Sequence, residues 1–286
     1  MDLHDFGLAS DLEVMQRQAL ERRRLLRWVL AGAATLPLIS CGGSGGSDTA
    51  STSTGTGTGS SGTTTTTTTA GACAVIPEET GGPYPADGTN TNGGSIINVL
   101  NQTGVVRSDI RSSFNGATGV AAGVPLTIRL QLVNANAGCA SLAGYAIYLW
   151  HCDRDGLYSL YSSGVTAQNY LRGVQETDST GSLSFTTIFP GCYSGRMPHV
   201  HFEVYPSLAR AAAASNRVKT SQFTFPLATL NEVYTASGYA SSVRNLAQIS
   251  YATDNVFSDG TSLQMASVTG NVTDGYVVTR TIGVNG

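Results

Sequence analysis

Two histidines separated by one residue are the strongest chemical signal in the sequence. His199 and His201 lie in the segment 198–202, which is bounded by Pro198 and Phe202. Residues i and i+2 of a β-strand point to the same face, so both imidazole rings would aim at one point. One metal ion, bound about 2 Å from a nitrogen of each ring, would hold both side chains. The pair therefore predicts a metal site, with a polar stripe on an exposed strand as the alternative.

Tyrosines upstream of the pair supply a type of ligand that the histidines lack. Glu203 shares the strand face but lies further along, whereas Tyr193 precedes His199 by six residues. Tyr158 stands further upstream, and Tyr161 competes with it for the same role. A phenolate is a hard anionic oxygen ligand, which suits a hard trivalent cation. Two histidines with two tyrosinates therefore indicate iron(III) in preference to a 2-His-1-carboxylate iron(II) site.

These motifs resemble those of the intradiol ring-cleavage dioxygenases, the family of the catechol and protocatechuate dioxygenases. The resemblance centres on Gly156-x-Tyr158, Pro190-Gly191-x-Tyr193 and Arg196-x-x-His199-x-His201. It also includes the segments 77–84, 107–110, 150–159, 171–178, 181–204 and 220–223. The resemblance implies four protein ligands to Fe(3+), namely Tyr158, Tyr193, His199 and His201.

The resemblance also implies roles for residues beside the ligands. Arg196 matches the family's active-site arginine, which would stabilise negative charge developing on the substrate ring. Tyr193 would accept a proton from the substrate when it leaves the metal. Gln222 stands where the family often has a polar pocket residue. The implied reaction is non-haem iron(III)-dependent cleavage of a catechol-type aromatic diol by O2 to a muconate-type diacid.

Two other functions are open at the level of sequence. A non-catalytic surface lipoprotein would bind catechols or catecholate siderophores through the same metal site. Arg196 favours catalysis over this alternative, because chelation alone would not need it. The second alternative, a structural sandwich module without metal, is weakened by the match to all four ligands.

Strands are the elements that must position these residues. Residues 125–133 alternate between apolar and polar side chains, as a half-buried strand does. Other short runs rich in β-branched and aromatic residues are 145–151, 183–189, 199–205, 221–225 and 276–284. Helix is expected only in connections, over 227–235 and 240–249. The pattern predicts an all-β fold, a β-sandwich of intradiol dioxygenase type with short connecting helices.

Composition divides the chain into three parts. Residues 1–40 have the layout of a twin-arginine-like export signal, with Arg22-Arg23 before an apolar stretch and a lipobox ending at Cys41. Residues 41–72 are a Gly/Ser/Thr-rich segment that predicts a disordered tether. Residues 73–286 form the catalytic domain. We therefore expect an exported protein, lipid-anchored to the bacterial cell envelope (periplasm or cell surface) through Cys41.

The charge balance narrows the choice of partners. Only 12% of the residues are charged and the net charge is −3. A nucleic-acid-binding protein needs a basic surface, so this class is excluded. The expected partners are a small aromatic diol and O2, with membrane contact only through the lipid anchor. The oligomeric state stays open.

Further polar residues of the domain have structural interpretations. Cys139 and Cys152 flank one predicted strand, too far apart to pair, so we expect Cys73–Cys139 and Cys152–Cys192 disulfides. Free buried thiols are the alternative. His151 is expected to be structural or to support the site without binding the metal. Asp153 and Asp155 predict a solvated turn, because the later ligands of a calcium loop are missing.

Overall fold

The computed structural model describes residues 73–286, the predicted β-rich domain. The predicted export signal (1–40) and the predicted tether (41–72) both lie outside the described residues. Within residues 73–286, no helix is long and apolar enough to cross a membrane.

Strands and two short helices make up the described chain. The strands are β1 Asp87–Asn92, β2 Ser95–Asn98, β3 Pro125–Asn134, β4 Ala140–Ser141, β5 Ala146–Trp150, β6 Arg172–Glu176, β7 Ser182–Ile188, β8 His199–Tyr205, β9 Lys219–Thr224, β10 Ser267–Asn271 and β11 Gly275–Val284. The α-helices of the described part are α1 Leu227–Val233 and α2 Ala240–Leu246. Single 3-10 turns occur at Ala135–Ala137, Leu208–Ala212 and Ala214–Asn216.

Two sheets face each other. In the first, β10, β11 and β3 lie side by side, and the far edge of β3 pairs with both β7 and β4. β11 runs parallel to β3, and the other pairs are antiparallel. The second sheet has the order β6-β5-β8-β9 and is antiparallel throughout. The predicted all-β sandwich is therefore confirmed.

The core between the sheets follows from alternation along the strands. Leu126, Ile128, Leu130 and Leu132 of β3 are all buried in this core. The opposite sheet contributes every second residue of β8, namely Val200, Phe202 and Val204. Removal of apolar surface from water stabilises the folded state by about 25 cal/mol per Å², and this is the main contribution of such a core.

The second sheet is also buried on its other face. Tyr148 and Trp150 of β5 and Tyr205 of β8 lie in a separate apolar cluster, together with residues from the segment 86–105. His199 and His201 of β8 belong to this face by alternation, since their neighbours Val200 and Phe202 face the sandwich core. The β8 strand is consequently buried along its whole length. The alternative interpretation of the histidine pair, a polar stripe on an exposed strand, is therefore wrong.

The sequence pattern located most of the long strands and both helices. The strand predicted over 199–205 coincides with β8, and the helices predicted from residues 227 and 240 begin there but end earlier. The hairpin of β1 and β2 was not predicted, because the polar sequence of β1 has no alternation of apolar residues. β6 and β10 were also not predicted as strands.

One predicted disulfide is present and the other is not. Cys73 and Cys139 are bonded, with their Cα atoms 5.3 Å apart. Cys152 and Cys192 are free and buried, so the Cys152–Cys192 pairing is wrong. The Cys152 thiol faces the carbonyl of Gly191 at 3.5 Å and the Cys192 thiol faces that of Arg196 at 3.4 Å. Burial raises the pKa of both thiols, which keeps them protonated.

Candidate metal centre

The histidine pair is positioned by the register of β8 between its neighbours. His201 lies opposite Trp150 of β5 and opposite Gln222 of β9. His199 and His201 are each only 2% exposed. Their Nε2 atoms are 3.0 Å apart, so the two rings do aim at one point.

Both imidazoles are neutral in this environment. Burial, with the positive charge of Arg196 as the next cause, lowers the pKa of His199 and of His201 well below the usual value. The Nδ1 atom of His199 lies 2.6 Å from the carbonyl oxygen of Met197, which accepts a hydrogen bond when Nδ1 carries the proton. This tautomer leaves a lone pair on Nε2, which faces the Nε2 atom of the second histidine. Two neutral nitrogens turned towards each other are suited to sharing a cation.

A tight turn brings Tyr158 to the pair. The Asp153 carboxylate accepts hydrogen bonds from the backbone N–H groups of Asp155 (3.0 Å) and Leu157 (2.9 Å). Gly156 has φ +84°, and a Cβ there would lie 2.9 Å from the Cβ of Tyr193. The turn is thus determined by a buried aspartate and an obligatory glycine. The prediction of a solvated turn is wrong for Asp153, which is 7% exposed.

Tyr158, and not Tyr161, joins the histidines. The Tyr158 hydroxyl lies 3.3 Å from Nε2 of His199. The Tyr161 hydroxyl instead donates to Oδ1 of Asn90 at 2.7 Å and accepts from the backbone N–H of Ala86 at 2.9 Å. Burial, followed by the proximity of Tyr193, raises the pKa of Tyr158 well above its usual value.

Tyr193 lies in a loop that is hydrogen-bonded to helix α2. Ser242 of the helix accepts from the backbone N–H of Cys192 at 2.9 Å, and Asn245 donates to the Cys192 carbonyl at 2.7 Å. The Tyr193 hydroxyl lies 3.4 Å from Nε2 of His199. Tyr193 is half-buried, whereas Tyr158 is almost fully buried. Of the two phenols, Tyr193 is therefore the more accessible to solvent.

The four predicted ligands converge around one point. The Nε2 atom of His199 lies within 3.4 Å of Nε2 of His201 and of the hydroxyls of Tyr158 and Tyr193. Within residues 73–286, no group of three or more His, Cys, Asp or Glu could hold a metal ion, so a metal here would need the tyrosines. Two imidazole nitrogens and two phenol oxygens in a buried cluster fit a hard cation that supports phenolate formation.

Arg196 and Gln222 meet beside this cluster. The Arg196 guanidinium donates from Nε to Oδ2 of Asp254 (3.0 Å) and from Nη2 to Oε1 of Gln222 (2.7 Å). Burial alone would lower the pKa of Arg196, but the neighbouring Tyr193 and Asp254 raise it, so the guanidinium is charged. Gln222 in turn donates to the carbonyl of Thr80 at 2.8 Å.

The segment 79–84 packs against His201 and Tyr158. A Cβ at Gly82, which has φ +67°, would lie 3.4 Å from Cε1 of His201. Two residues on, the ring of Tyr84 lies 5.0 Å from that of Tyr158, measured between centroids. This segment belongs to the front part of the predicted resemblance. The structure therefore places it directly against the ligands.

Two residues considered in the sequence lie outside the cluster. Both ring nitrogens of His151 are engaged elsewhere, Nδ1 with the Cys152 carbonyl and Nε2 with Oγ1 of Thr187, each at 2.7 Å. Glu203 accepts from the Tyr205 hydroxyl at 2.6 Å, and burial raises its pKa to about 8. His151 is thus structural, as expected, and no described contact joins Glu203 to the four donors.

Sequence reasoning missed Asp254 and Thr80. Asp254 lies in a stretch without a recognisable motif, 58 residues after Arg196. Thr80 acts through its backbone carbonyl, for which the side-chain sequence has no signal. The only hint of Asp254 was that acidic residues are scarce in this chain.

Comparisons with known proteins agree with this fold. A family model described as Dioxygenase matches residues 107–210. The chain is similar to the solved structure of an intradiol ring-cleavage dioxygenase from Tetranychus urticae, at 23% identity and a TM-score of 0.57, covering 74% of this chain and 95% of that chain. It is also similar to the dioxygenase domain of a dioxygenase carbohydrate-binding protein fusion from Streptomyces sp. SirexAA-E, at 23% identity and a TM-score of 0.46, covering 74% and 99% respectively.

The similarity to the Tetranychus urticae structure identifies the fold, and the family model matches part of the same domain. The chain has the fold of the intradiol ring-cleavage dioxygenases, and the resemblance predicted from its motifs is confirmed. No curated protein sequence matches the chain.

Proposed function

We propose that the protein catalyses non-haem iron(III)-dependent intradiol cleavage of a catechol-type aromatic diol by O2, giving a muconate-type diacid. The observation that carries this proposal is the convergence of the Tyr158 and Tyr193 hydroxyls and the Nε2 atom of His201 around Nε2 of His199. The match of residues 107–210 to the dioxygenase family model supports it.

The donor set favours iron(III) over softer or less charged metals. Two phenolates and two neutral imidazoles would reduce a trivalent charge to a net +1 in a buried site. Burial, followed by the proximity of Tyr193, raises the pKa of Tyr158, so a strong cation is needed to hold it as phenolate. When bound, the iron(III) would draw electron density from the diol oxygens and make the ring reactive towards O2.

The chain's own residues would handle protons and charge. Tyr193, the more accessible phenolate, would take up one proton of the diol at its hydroxyl oxygen. Tyr158 and the two histidines are buried and would maintain the geometry of the site. Arg196 would stabilise negative charge on the substrate ring. Gln222 would hold the guanidinium by accepting a hydrogen bond from Nη2 of Arg196.

Iron content, a visible spectrum and oxygen uptake test the proposal. Purified protein is expected to contain one iron per chain and to show a visible tyrosinate-to-iron(III) absorption band. O2 consumption with a panel of catechols should yield ring-opened diacids that mass spectrometry identifies. Tyr158→Phe tests the band, and Tyr161→Phe is its matched control. Iron-loaded protein that binds catechols without oxygen uptake would overturn the proposal in favour of catechol binding.

We also propose that the protein is exported and lipid-anchored to the cell envelope through Cys41. The twin-arginine-like segment and the lipobox support this location. The Cys73–Cys139 disulfide supports it independently, because disulfides are typical of oxidising compartments. Cell fractionation tests it: the full chain should require detergent for extraction, and Cys41→Ser should not. Recovery of both in the cytosol would contradict the proposal.

A further inference from the structure

We infer that Asp254 is the positioning residue for Arg196, an inference that rests on the proposed function. The Asp254 side chain is fully buried and forms a salt bridge with Arg196. Its Oδ2 atom accepts from Nε of Arg196 at 3.0 Å and from the backbone N–H of Met197 at 2.6 Å. One carboxylate oxygen thus holds both the arginine side chain and the backbone that leads to His199.

The other carboxylate oxygen is held by its own loop. Oδ1 of Asp254 accepts from the backbone N–H groups of Val256 at 2.8 Å and Phe257 at 3.1 Å. The Phe257 ring lies 5.9 Å from Cζ of Arg196 and 6.4 Å from the ring of His199, measured to its centroid. The carboxylate therefore cannot rotate without breaking its own turn. It presents Oδ2 to the guanidinium in one orientation.

Gln222 completes the constraint on the guanidinium. It accepts from Nη2 of Arg196 at 2.7 Å and is itself tied to the carbonyl of Thr80 at 2.8 Å. With Nε and Nη2 both held, the plane of the guanidinium is determined. Asp254 differs from Gln222 because it also compensates the charge, and a buried cation without a carboxylate partner is strongly destabilising.

Asp254 acts on the reaction through Arg196. Within the described residues, the hydrogen bonds of its carboxylate go to Arg196, Met197 and its own loop, and none of these joins it to the four donors. Removing its charge would let the guanidinium rotate and would weaken stabilisation of negative charge on the bound ring. We expect this to affect the chemical step more than diol binding, which depends on the metal.

A double-mutant cycle of Asp254→Asn and Arg196→Gln in the iron-loaded full chain tests the inference. With catechol, Asp254→Asn should lower kcat about 10- to 100-fold and change KM less than about threefold, with iron content unchanged. In the Arg196→Gln background the same change should cost less than about twofold. Asp87→Asn is the matched control, since Asp87 is also buried and paired with an arginine, Arg217. It should leave kcat unchanged.

Two readouts do not depend on turnover. Bound 4-nitrocatechol, whose anion is coloured, should ionise at a higher pH in Asp254→Asn than in wild type, but not in Asp87→Asn. The second readout is the free energy of unfolding of the metal-free protein. The sum of the losses in the two single variants should exceed the loss in the double variant, because only the double variant leaves no unpaired buried charge. Asp254→Glu, which keeps the charge but displaces it, is used if Asp254→Asn does not fold, and should also lower kcat.

The outcomes separate the inference from the proposed function. Additive effects on kcat and on stability, or an unaltered 4-nitrocatechol titration in Asp254→Asn, would overturn the role of Asp254. Wild-type protein that binds 4-nitrocatechol without consuming O2 would overturn the proposed turnover, while the titration and the stability cycle would still decide the role of Asp254. Absence of both binding and turnover in wild type would overturn both.

Discussion

The imidazole of His201 lies parallel to the indole of Trp150, with the ring planes 3° apart and the centroids 4.9 Å apart. The two residues are cross-strand partners on β8 and β5. Tyr148 also stacks with the indole, at 4.9 Å between centroids. A ladder of rings on one sheet face therefore determines the orientation of His201 before any metal binds.

Replacing Trp150 should weaken metal binding without removing a ligand. In Trp150→Leu the His201 ring loses its stacking partner, and we expect iron affinity to fall about tenfold. The cavity left behind should lower the free energy of unfolding by about 2–4 kcal/mol. Trp150→Phe, which keeps a ring, should retain most of the affinity. Competition with an iron chelator measures the iron affinity of each variant. Equal affinity in wild type and Trp150→Leu would contradict the expectation.

Visible spectroscopy should distinguish the role of Tyr158 from that of Tyr161. Tyr158→Phe removes a hydroxyl that lies 3.3 Å from Nε2 of His199. The visible absorption band should therefore shift and lose intensity, and turnover should fall at least about 100-fold. Tyr161→Phe removes hydrogen bonds to Asn90 and Ala86 and should cost about 1–2 kcal/mol of stability with the band intact. The opposite pattern would assign the ligand to Tyr161.

His151 should make the domain sensitive to acid. Burial lowers its pKa to about 4 from an ordinary value of 6.5. Between these values the unfolded chain binds a proton that the folded chain does not, so stability is lost as pH falls from about 6.5 to about 4. At about 1.4 kcal/mol for each tenfold change in the proton-binding constant, the free energy of unfolding loses about 3.5 kcal/mol between neutral pH and pH below about 4. Urea unfolding of wild type and His151→Gln should differ in slope across that window, and parallel curves would refute the prediction.

The cysteines should react as one bonded pair and two shielded thiols. A non-reduced peptide map should show Cys73 joined to Cys139, with Cys152 and Cys192 alkylated only after unfolding. Replacing both Cys73 and Cys139 by serine should destabilise the domain by about 4 kcal/mol, since the disulfide closes a loop of 66 residues. Serine at Cys152 and Cys192 is the control for loss of buried thiols. A Cys152–Cys192 peptide in the map would contradict the structure.

Local periodicity explains what could be predicted. The spacing of His199 and His201 and the alternation in Pro125–Asn134 both follow from the two-residue period of a strand. The polar strand Asp87–Asn92 has no such signature, because its partner is a short edge strand and most of its side chains are not buried. Predictions therefore succeeded where one face of a strand is buried in the sandwich core.

By itself, the sequence determined the β-sandwich and predicted a metal-ligand set of two histidines and two tyrosines. Strand alternation and short motifs are local, so neighbouring residues suffice to read them. Only the tertiary structure decided that Tyr158 and not Tyr161 joins the site, that Asp254 holds Arg196, and that Cys152 and Cys192 stay apart. Each of these depends on side-chain orientation and on contacts between segments whose spacing along the chain has no period.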